Sequence, residues 1–356
     1  MGEEEQAEKG TEENPLTRAD VKRLIRRNSL TAEGIDLSGK VFEDEIDLSG
    51  LRLRGIILNG AMLFRANFNG SDLTGGQLRA AKLIQAKFKC YTDKPSLKYA
   101  NLRDADLSEA DLTEAEFIGA FLPNTSFMNA GLSYANLSIE GRRAPDLHFT
   151  DFRGANLFSS DFTGRSFHFT KLEGAYINQA KLTEEHTYLG DADWGNYVIG
   201  EEKPRRDFYS AERRYRHLKQ WYTNSGYYDI AGKFFFREMT VRRKMMKWWP
   251  NPLPHLWSKF VSAICGYGEK PERVILWAAS VIGGLAIVYF LIGGVWQWAA
   301  LWRSLYFSVV SFTALGYGSW MKATSDWMIG LGAFESFLGV FSMALFLVTF
   351  TRKMTR

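Results

Sequence analysis

Cysteine and histidine are scarce in this sequence of 356 residues. Two cysteines, Cys90 and Cys265, are too few for a disulfide framework or a four-cysteine zinc site. The five histidines are scattered, and no nucleophile–base pair, metal cluster or phosphate-binding loop can be picked out. We therefore expect neither an enzyme nor a protein with a resident cofactor.

Charge is distributed unevenly, although the net charge is only +4. Residues 1–15 hold six glutamates and one lysine, which predicts a disordered acidic tail. Residues 203–273 hold 16 basic and six acidic residues, whereas 274–356 hold only five and two. Nine of the 11 tryptophans lie beyond residue 247. This distribution predicts a soluble N-terminal part, a basic segment and a membrane-embedded C-terminal part.

A helix is predicted over 16–30, with Thr17 as its N-cap, and it would cap the domain after it. Over 31–190, large apolar residues recur every five positions, in 26 repeats. They include Leu48, Leu53, Leu58, Leu63 and Phe68, then Leu97 to Leu137, then Leu147 to Leu182. A small residue often precedes each by two positions, with Asn or Asp between them, as in Ala105-Asp106-Leu107.

A period of five fits neither a helix nor a flat strand, because either would scatter these residues around its surface. The chain must turn at a fixed step, which predicts a solenoid. The motif A-[DN]-L-x-x, seen in ANLRDADLSEADLTEAEF at 100–117, resembles the pentapeptide-repeat family. That resemblance implies a right-handed, four-sided β-helix of about 6.5 coils and roughly 30 Å. The breaks at 89–96 and 138–146 are expected to be loops.

The resemblance implies a scaffold or interaction surface without chemistry of its own. Some family members imitate the shape of nucleic acid, but residues 16–202 carry a charge of only about −4, so we expect no such role and no nucleic-acid partner. An unidentified protein or small molecule is expected to bind the repeats.

A basic helical linker is predicted over 203–249, with Gly226 dividing it into two helices. A DNA-reading helix-turn-helix is the less favoured interpretation. Basic and aromatic residues at its end predict contact with lipid headgroups: Arg242, Arg243, Lys244, Lys247, Trp248 and Trp249. A solvated charged face is the alternative. The segment 250–273 then runs along the membrane surface.

Two membrane spans are predicted, over 274–296 and 327–351. Val274 to Trp296 contains no charged residue over 23 positions, enough to cross about 30 Å of hydrocarbon. Basic residues precede the first span and follow the second. Both termini are therefore expected in the cytoplasm of a prokaryotic cell, with the protein in its cell membrane.

The stretch between the spans is too short to cross the bilayer and too apolar for a plain loop. It predicts a short helix over 300–312 and a non-helical segment over 313–319. A non-helical backbone is stable at membrane depth only where it is buried in protein or lines water. Thr313, Ala314, Leu315, Gly316, Tyr317 and Gly318 closely resemble the potassium-channel filter T-V-G-Y-G. The order of span, pore helix, filter and span is similar to that of two-transmembrane potassium channels, and the resemblance implies a homotetramer. A second Gly-Tyr-Gly, at 266–268, lies outside the predicted spans.

The resemblance implies K⁺ sites at the backbone carbonyls of Leu315, Gly316 and Tyr317. Ala314 stands where the family usually has Thr, which removes a ring of hydroxyl oxygens. Ser319 stands at the filter mouth where the family has Asp, which removes a fixed negative charge. We expect conduction with K⁺ favoured, and K⁺ as the permeant ion.

Two residues of the second span have alternative interpretations. Gly339 is either a gating hinge or a point of close helix packing. Glu335 concentrates cations, senses pH or braces the back of the pore helix, and we favour the brace. The sequence as a whole predicts a cation channel with cytoplasmic repeat domains that scaffold or regulate gating. A non-selective cation channel and a non-conducting, membrane-anchored scaffold are the alternatives.

Overall fold

The computed structural model describes residues 9–89, 100–138, 147–182, 187–246, 252–292, 298–314 and 326–354. The chain divides into two compact units, Met1–Val241 and Arg242–Arg356. The first unit begins with helix α1 (Arg18–Arg27). Thr17 and Asp20 form a capping box at its start, since the Thr17 hydroxyl accepts from the Asp20 N–H while the Asp20 carboxylate accepts from the Thr17 N–H.

One repeat shows why each position of the five has its residue type. Ala105 and Leu107 point inward and are buried. Asp106, between them, forms parallel bridges to the neighbouring coils, and its carboxylate accepts from the Ser108 N–H at 2.9 Å. This hydrogen bond shapes the turn, as Asp and Asn commonly do. Glu109 has a φ of +62°, the left-handed conformation that the turn requires.

The coils are held together by parallel β-bridges of single residues. Asp47 pairs with Asn67, and Asn67 pairs with Lys87, so a regular coil takes 20 residues, or four repeats. The all-β solenoid that we expected therefore differs in one respect, because the described residues of the coils form isolated bridges and no extended strands. In the regular coils, a turn begins two residues after each bridge residue, which leaves no face long enough for a strand.

One extra residue lengthens the first coil, since Asp36 pairs with Ile57 and Val41 with Met62, each 21 residues apart. Beyond residue 47, three larger interruptions lengthen individual coils. Asp72 pairs with Asn101, Ser126 with Asp151, and Ser166 with Tyr188, which are 29, 25 and 22 residues apart. The two predicted loops fall in the first two interruptions, mostly at 90–99 and 139–146, outside the described residues. The coils also continue beyond the predicted end at residue 190, because further inward-facing residues recur with the same period: Leu189, Trp194 and Ile199.

Aromatic rings stack along the interior of the solenoid. The Phe68 and Phe88 ring centroids are 5.0 Å apart, and those of Phe88 and Phe117 are 4.7 Å apart, with the rings nearly parallel. All three side chains are fully buried. Coil-to-coil stacking of this kind adds geometric specificity to the apolar burial that drives folding.

Helices α2 (Phe208–Asn224) and α3 (Tyr228–Met245) come after the last coil. Tyr215, Tyr222 and Phe234 share one apolar core with the solenoid. Trp194 Nε1 donates to Tyr222 Oη at 2.7 Å, and Tyr215 Oη donates to the Glu202 carboxylate at 2.7 Å. Most of the predicted basic linker therefore caps the solenoid, because Tyr215, Tyr222 and Phe234 are buried while the charged side chains lie largely on the outer face.

The second unit consists of helices. Helix α4 (Leu253–Cys265) leads through a short 3₁₀ turn (Gly266–Gly268) into α5 (Pro271–Ile292), which is followed by α6 (Trp298–Phe312) and α7 (Asp326–Met354). Helices α5, α6 and α7 pack against one another, and α4 lies against α5 and α7.

Candidate functional site: the packing of the last three helices

Two helices of the second unit, at Pro271–Ile292 and Ile329–Thr351, are long and apolar enough to cross a membrane, judged by length and composition alone. Their outer faces expose large apolar side chains: Leu276, Phe337, Leu347 and Val348 are each 66–68% exposed. Contiguous apolar surface of this kind is unusual on a soluble monomer. It fits contact with lipid or with further copies of the chain.

Glu335, on α7, is fully buried between the other two helices. Tyr289 Oη of α5 donates to one carboxylate oxygen at 2.8 Å, and Ser308 Oγ of α6 is hydrogen-bonded to the other. Ser308 Oγ also lies 2.8 Å from the carbonyl oxygen of Ile282 on α5. A buried acid is costly unless its oxygens are paired. Here the pairing ties α5 and α6 to α7.

Gly339 lies one turn further along α7, where that helix approaches the end of α6 most closely. A β-carbon on Gly339 would lie 1.7 Å from the backbone oxygen of Phe312. Helix α7 continues without interruption from Asp326 to Met354. These observations favour the packing interpretation of Gly339 over the hinge, since only glycine fits at this contact.

The end of α6 is held by hydroxyl groups. Ser336 Oγ of α7 donates to the Ser311 carbonyl oxygen at 2.7 Å. Thr313 Oγ1 donates back to the Val309 carbonyl oxygen at 2.7 Å, so its hydroxyl is committed to α6. Ala314 has a φ of +56°, which ends the helical conformation. The other predicted filter and mouth residues lie outside the described residues: Leu315, Gly316, Tyr317, Gly318 and Ser319.

The predicted lipid-binding cluster divides into side chains with different surroundings. Arg242 and Lys244, in the last turn of α3, are exposed. Arg243 is half-buried, and its guanidinium donates to Tyr267 Oη at 3.2 Å. Lys247, Trp248 and Trp249 lie outside the described residues.

Three residues that hold the site together could not be singled out from the sequence: Tyr289, Ser308 and Ser336. The available signal was their polarity, because a hydroxyl in an apolar span commonly hydrogen-bonds across helices. Their pairing could not be read from the sequence, because Tyr289 and Glu335 are 46 positions apart.

A family model for pentapeptide repeats matches residues 44–79, 96–129 and 105–138, with eight copies. The solenoid is made of pentapeptide repeats. This confirms the first of the two resemblances. The matched residues all lie in the first unit, and the fusion to a channel-type pore is not shown, because no channel homologue was found.

Solved pentapeptide-repeat structures resemble part of the chain. Rfr23 from the cyanobacterium Cyanothece 51142 is 23% identical, with 34% of this chain and 86% of that chain covered and a TM-score of 0.30. HetL, involved in heterocyst differentiation regulation in Nostoc sp. strain PCC 7120, is 21% identical, with coverages of 50% and 94% and a TM-score of 0.23. Likenesses at these scores support no inference about function. No curated protein matches the chain.

Proposed function

We propose that the chain is a subunit of a homotetrameric cation channel in the cell membrane. Its pentapeptide repeats and both termini would lie in the cytoplasm, as the basic flanks of the two spans favour. One chain contributes one filter segment, so four chains are needed to close a ring of carbonyl oxygens around a bare cation. The repeats would scaffold the channel or regulate its gating through a protein or small molecule.

The placement of α6 is the observation that carries this proposal. Its 15 residues extend about 22 Å, less than the roughly 30 Å of hydrocarbon. It packs between two helices of spanning length and is fixed to both through Glu335, Tyr289 and Ser308. It ends at Phe312, directly before Thr313 and Ala314. A short, braced helix that ends at a glycine-rich segment supports a pore helix and filter.

K⁺ is the favoured permeant ion. The carbonyls of Leu315, Gly316 and Tyr317 belong to the backbone, so the chain retains these ligands for a cation although Ala314 has no hydroxyl and Ser319 no carboxylate. Those two departures weaken the innermost site and the outer mouth. A non-selective cation channel is therefore the nearest alternative.

Membrane lipid is the second partner. Leu253, Leu256, Trp257 and Phe260 recur at helical spacing along α4, and Leu253 and Trp257 are 70% and 63% exposed. Arg242 and Lys244 are exposed basic residues of the same unit. An exposed apolar stripe near basic side chains supports an interfacial helix that meets anionic headgroups.

A membrane-anchored scaffold that does not conduct is the second candidate function. Two observations favour it: the family model matches only the repeats, and Ala314 and Ser319 depart from the channel motif. On this view α5 and α7 would be anchors, and the solenoid would be the functional part.

Recording from purified full-length protein in planar bilayers distinguishes these candidates. With K⁺ on one side and Na⁺ on the other, we expect unitary currents that reverse near the K⁺ equilibrium potential. Reversal near zero would support the non-selective channel. Two variants test the source of the current. Gly316→Ala should abolish it, whereas Gly330→Ala should not, because a β-carbon at Gly330 on α7 meets open space. Silence of the wild-type protein under every ionic condition, with the tetramer intact, would favour the scaffold.

A further inference from the structure

The second Gly-Tyr-Gly segment, at 266–268, has no part in the proposed filter. It forms the 3₁₀ turn between α4 and α5. Tyr267 has a φ of +59°, and Gly266 and Gly268 on either side have φ values of +55° and +87°. The glycines accept this conformation easily, but a bulky side chain in it costs roughly 1–2 kcal/mol. Strain of this kind, held at a large aromatic residue, indicates a role for its side chain.

The Tyr267 hydroxyl joins side chains from two other helices. It lies 2.8 Å from Ser258 Oγ on α4 and accepts from the Arg243 guanidinium at 3.2 Å. A guanidinium can only donate, so the Tyr267 oxygen is the acceptor in the Arg243 contact, while either hydroxyl can donate in the Ser258 contact. Tyr267 is only 8% exposed, as is Ser258. The Tyr267–Ser258 contact is therefore shielded from competition by water, whereas the Arg243 contact is partly buried.

The turn Gly266–Gly268, which we call the α4–α5 corner, is itself fixed to the start of α5. Arg273, in the first turn of α5, donates from Nη1 to the Ser262 carbonyl oxygen of α4 at 2.8 Å. The Lys270 N–H donates to the Cys265 carbonyl oxygen at 3.1 Å. A displacement of the corner would therefore be passed to α5.

Pro250 and Pro252 separate α3 from α4 in the sequence, so the two cannot form one continuous helix. A side-chain link is then needed if the end of α3 is to move together with the corner. Arg243, in the last turn of α3, provides that link.

We propose that Tyr267 is a clamp that joins the end of α3 to the α4–α5 corner and transmits movement of α3 to α5. One part of this proposal rests on the proposed function, namely that movement of α5 would change the open probability of the pore. The link between α3 and the corner stands without it.

The test removes the hydroxyl and keeps the ring. Tyr267→Phe, Arg243→Gln and the double variant are compared in full-length protein in lipid nanodiscs, by hydrogen exchange of peptides covering 241–246 and 266–275. Each single variant should exchange about 5- to 20-fold faster in both peptides. The double variant should be no faster than the singles, because the three forms lack the same contact. Tyr209→Phe is the matched control, since Tyr209 on α2 is 74% exposed.

Unchanged exchange in both peptides, or strictly additive effects, would overturn the clamp. Recordings of the same variants add a second measurement. A changed open probability with unchanged unitary current and reversal potential supports transmission to α5, and an unchanged open probability in a conducting protein refutes it. If the wild-type protein is silent while the exchange result holds, the channel proposal fails and the clamp remains as the anchor of α3.

Discussion

Replacing Arg165 by alanine should open the solenoid locally. The side chain occupies a small-residue position of its repeat and is fully buried. Its guanidinium donates to the carbonyl oxygens of Ala120 at 3.2 Å and Phe117 at 3.1 Å, and also to that of Leu137. A charged residue in this interior position needs a physical reason.

The reason lies in the interruption after Ser138. In the regular ladder, the Ala115 carbonyl oxygen accepts from the Asn136 N–H of the next coil at 2.9 Å. At the same spacing, the N–H that would pair with the Ala120 carbonyl oxygen belongs to residues 139–146, which lie outside the described part of the chain. Arg165, from the following coil, reaches carbonyls at the border of this interruption and supplies donors there.

The magnitude depends on the acceptors. Leaving a buried acceptor unsatisfied costs about 1–3 kcal/mol. The Phe117 carbonyl oxygen keeps a second donor, the Ala120 N–H at 2.9 Å, so the loss falls mainly on the carbonyl oxygens of Ala120 and Leu137. Alanine also removes the cost of burying a guanidinium, which offsets part of that loss. We expect a net loss of about 2–4 kcal/mol in the local opening free energy, which corresponds to roughly 30- to 700-fold faster exchange.

Native-state hydrogen exchange on the full-length protein measures this directly, in peptides covering 117–138 and 162–175. Arg153→Ala is the matched control, because Arg153 belongs to a nearby repeat, is 45% exposed and pairs with Asp151 of its own repeat. It should change exchange less than about threefold, as exposed ion pairs contribute little. If Arg165→Ala behaves like this control, Arg165 does not support the carbonyls at the interruption and the reasoning is refuted.

Three further predictions concern other buried contacts. Burial raises the pKa of Glu201 to about 7, so the folded state binds a proton that the unfolded state releases. The free energy of unfolding of the first unit should therefore fall by roughly 2–3 kcal/mol between pH 5 and pH 8. Denaturant titrations measure this, and Glu201→Gln should flatten the pH dependence. Gly339→Ala should destabilise the packing of α7 on α6 by roughly 1–3 kcal/mol, measured by unfolding in detergent. Gly330→Ala is the control and should be tolerated. An altered open probability without loss of stability would favour the hinge. Glu335→Gln should weaken the proposed tetramer by roughly 1–3 kcal/mol, measured by thermal dissociation, while unitary conductance stays unchanged. Reduced conductance with unchanged stability would favour the alternative in which Glu335 concentrates cations.

The solenoid could be predicted from the sequence because its period is local. A residue every five positions fixes a turn at every repeat, and the bridges of 20 residues per coil result from that step. The end of the solenoid was harder to predict, since the shift after Leu182 hides that Leu189 and Trp194 keep the same period. The packing of α2 and α3 on the last coil was missed because their basic residues dominate the composition, while the buried tyrosines that decide the packing are few.

Glu335 illustrates what a single sequence leaves undecided in a membrane segment. The sequence shows that an acid lies in an apolar span, and the cost of burial shows that it must find partners. It does not show which partners, because these come from α5 and α6, 46 and 27 positions away. A carboxylate that lined a pore would meet water and ions, whereas this one meets Tyr289 and Ser308 and is fully buried within the chain. The hydroxyl groups of its neighbours, rather than its own charge, therefore favour a brace between α7 and the other two helices.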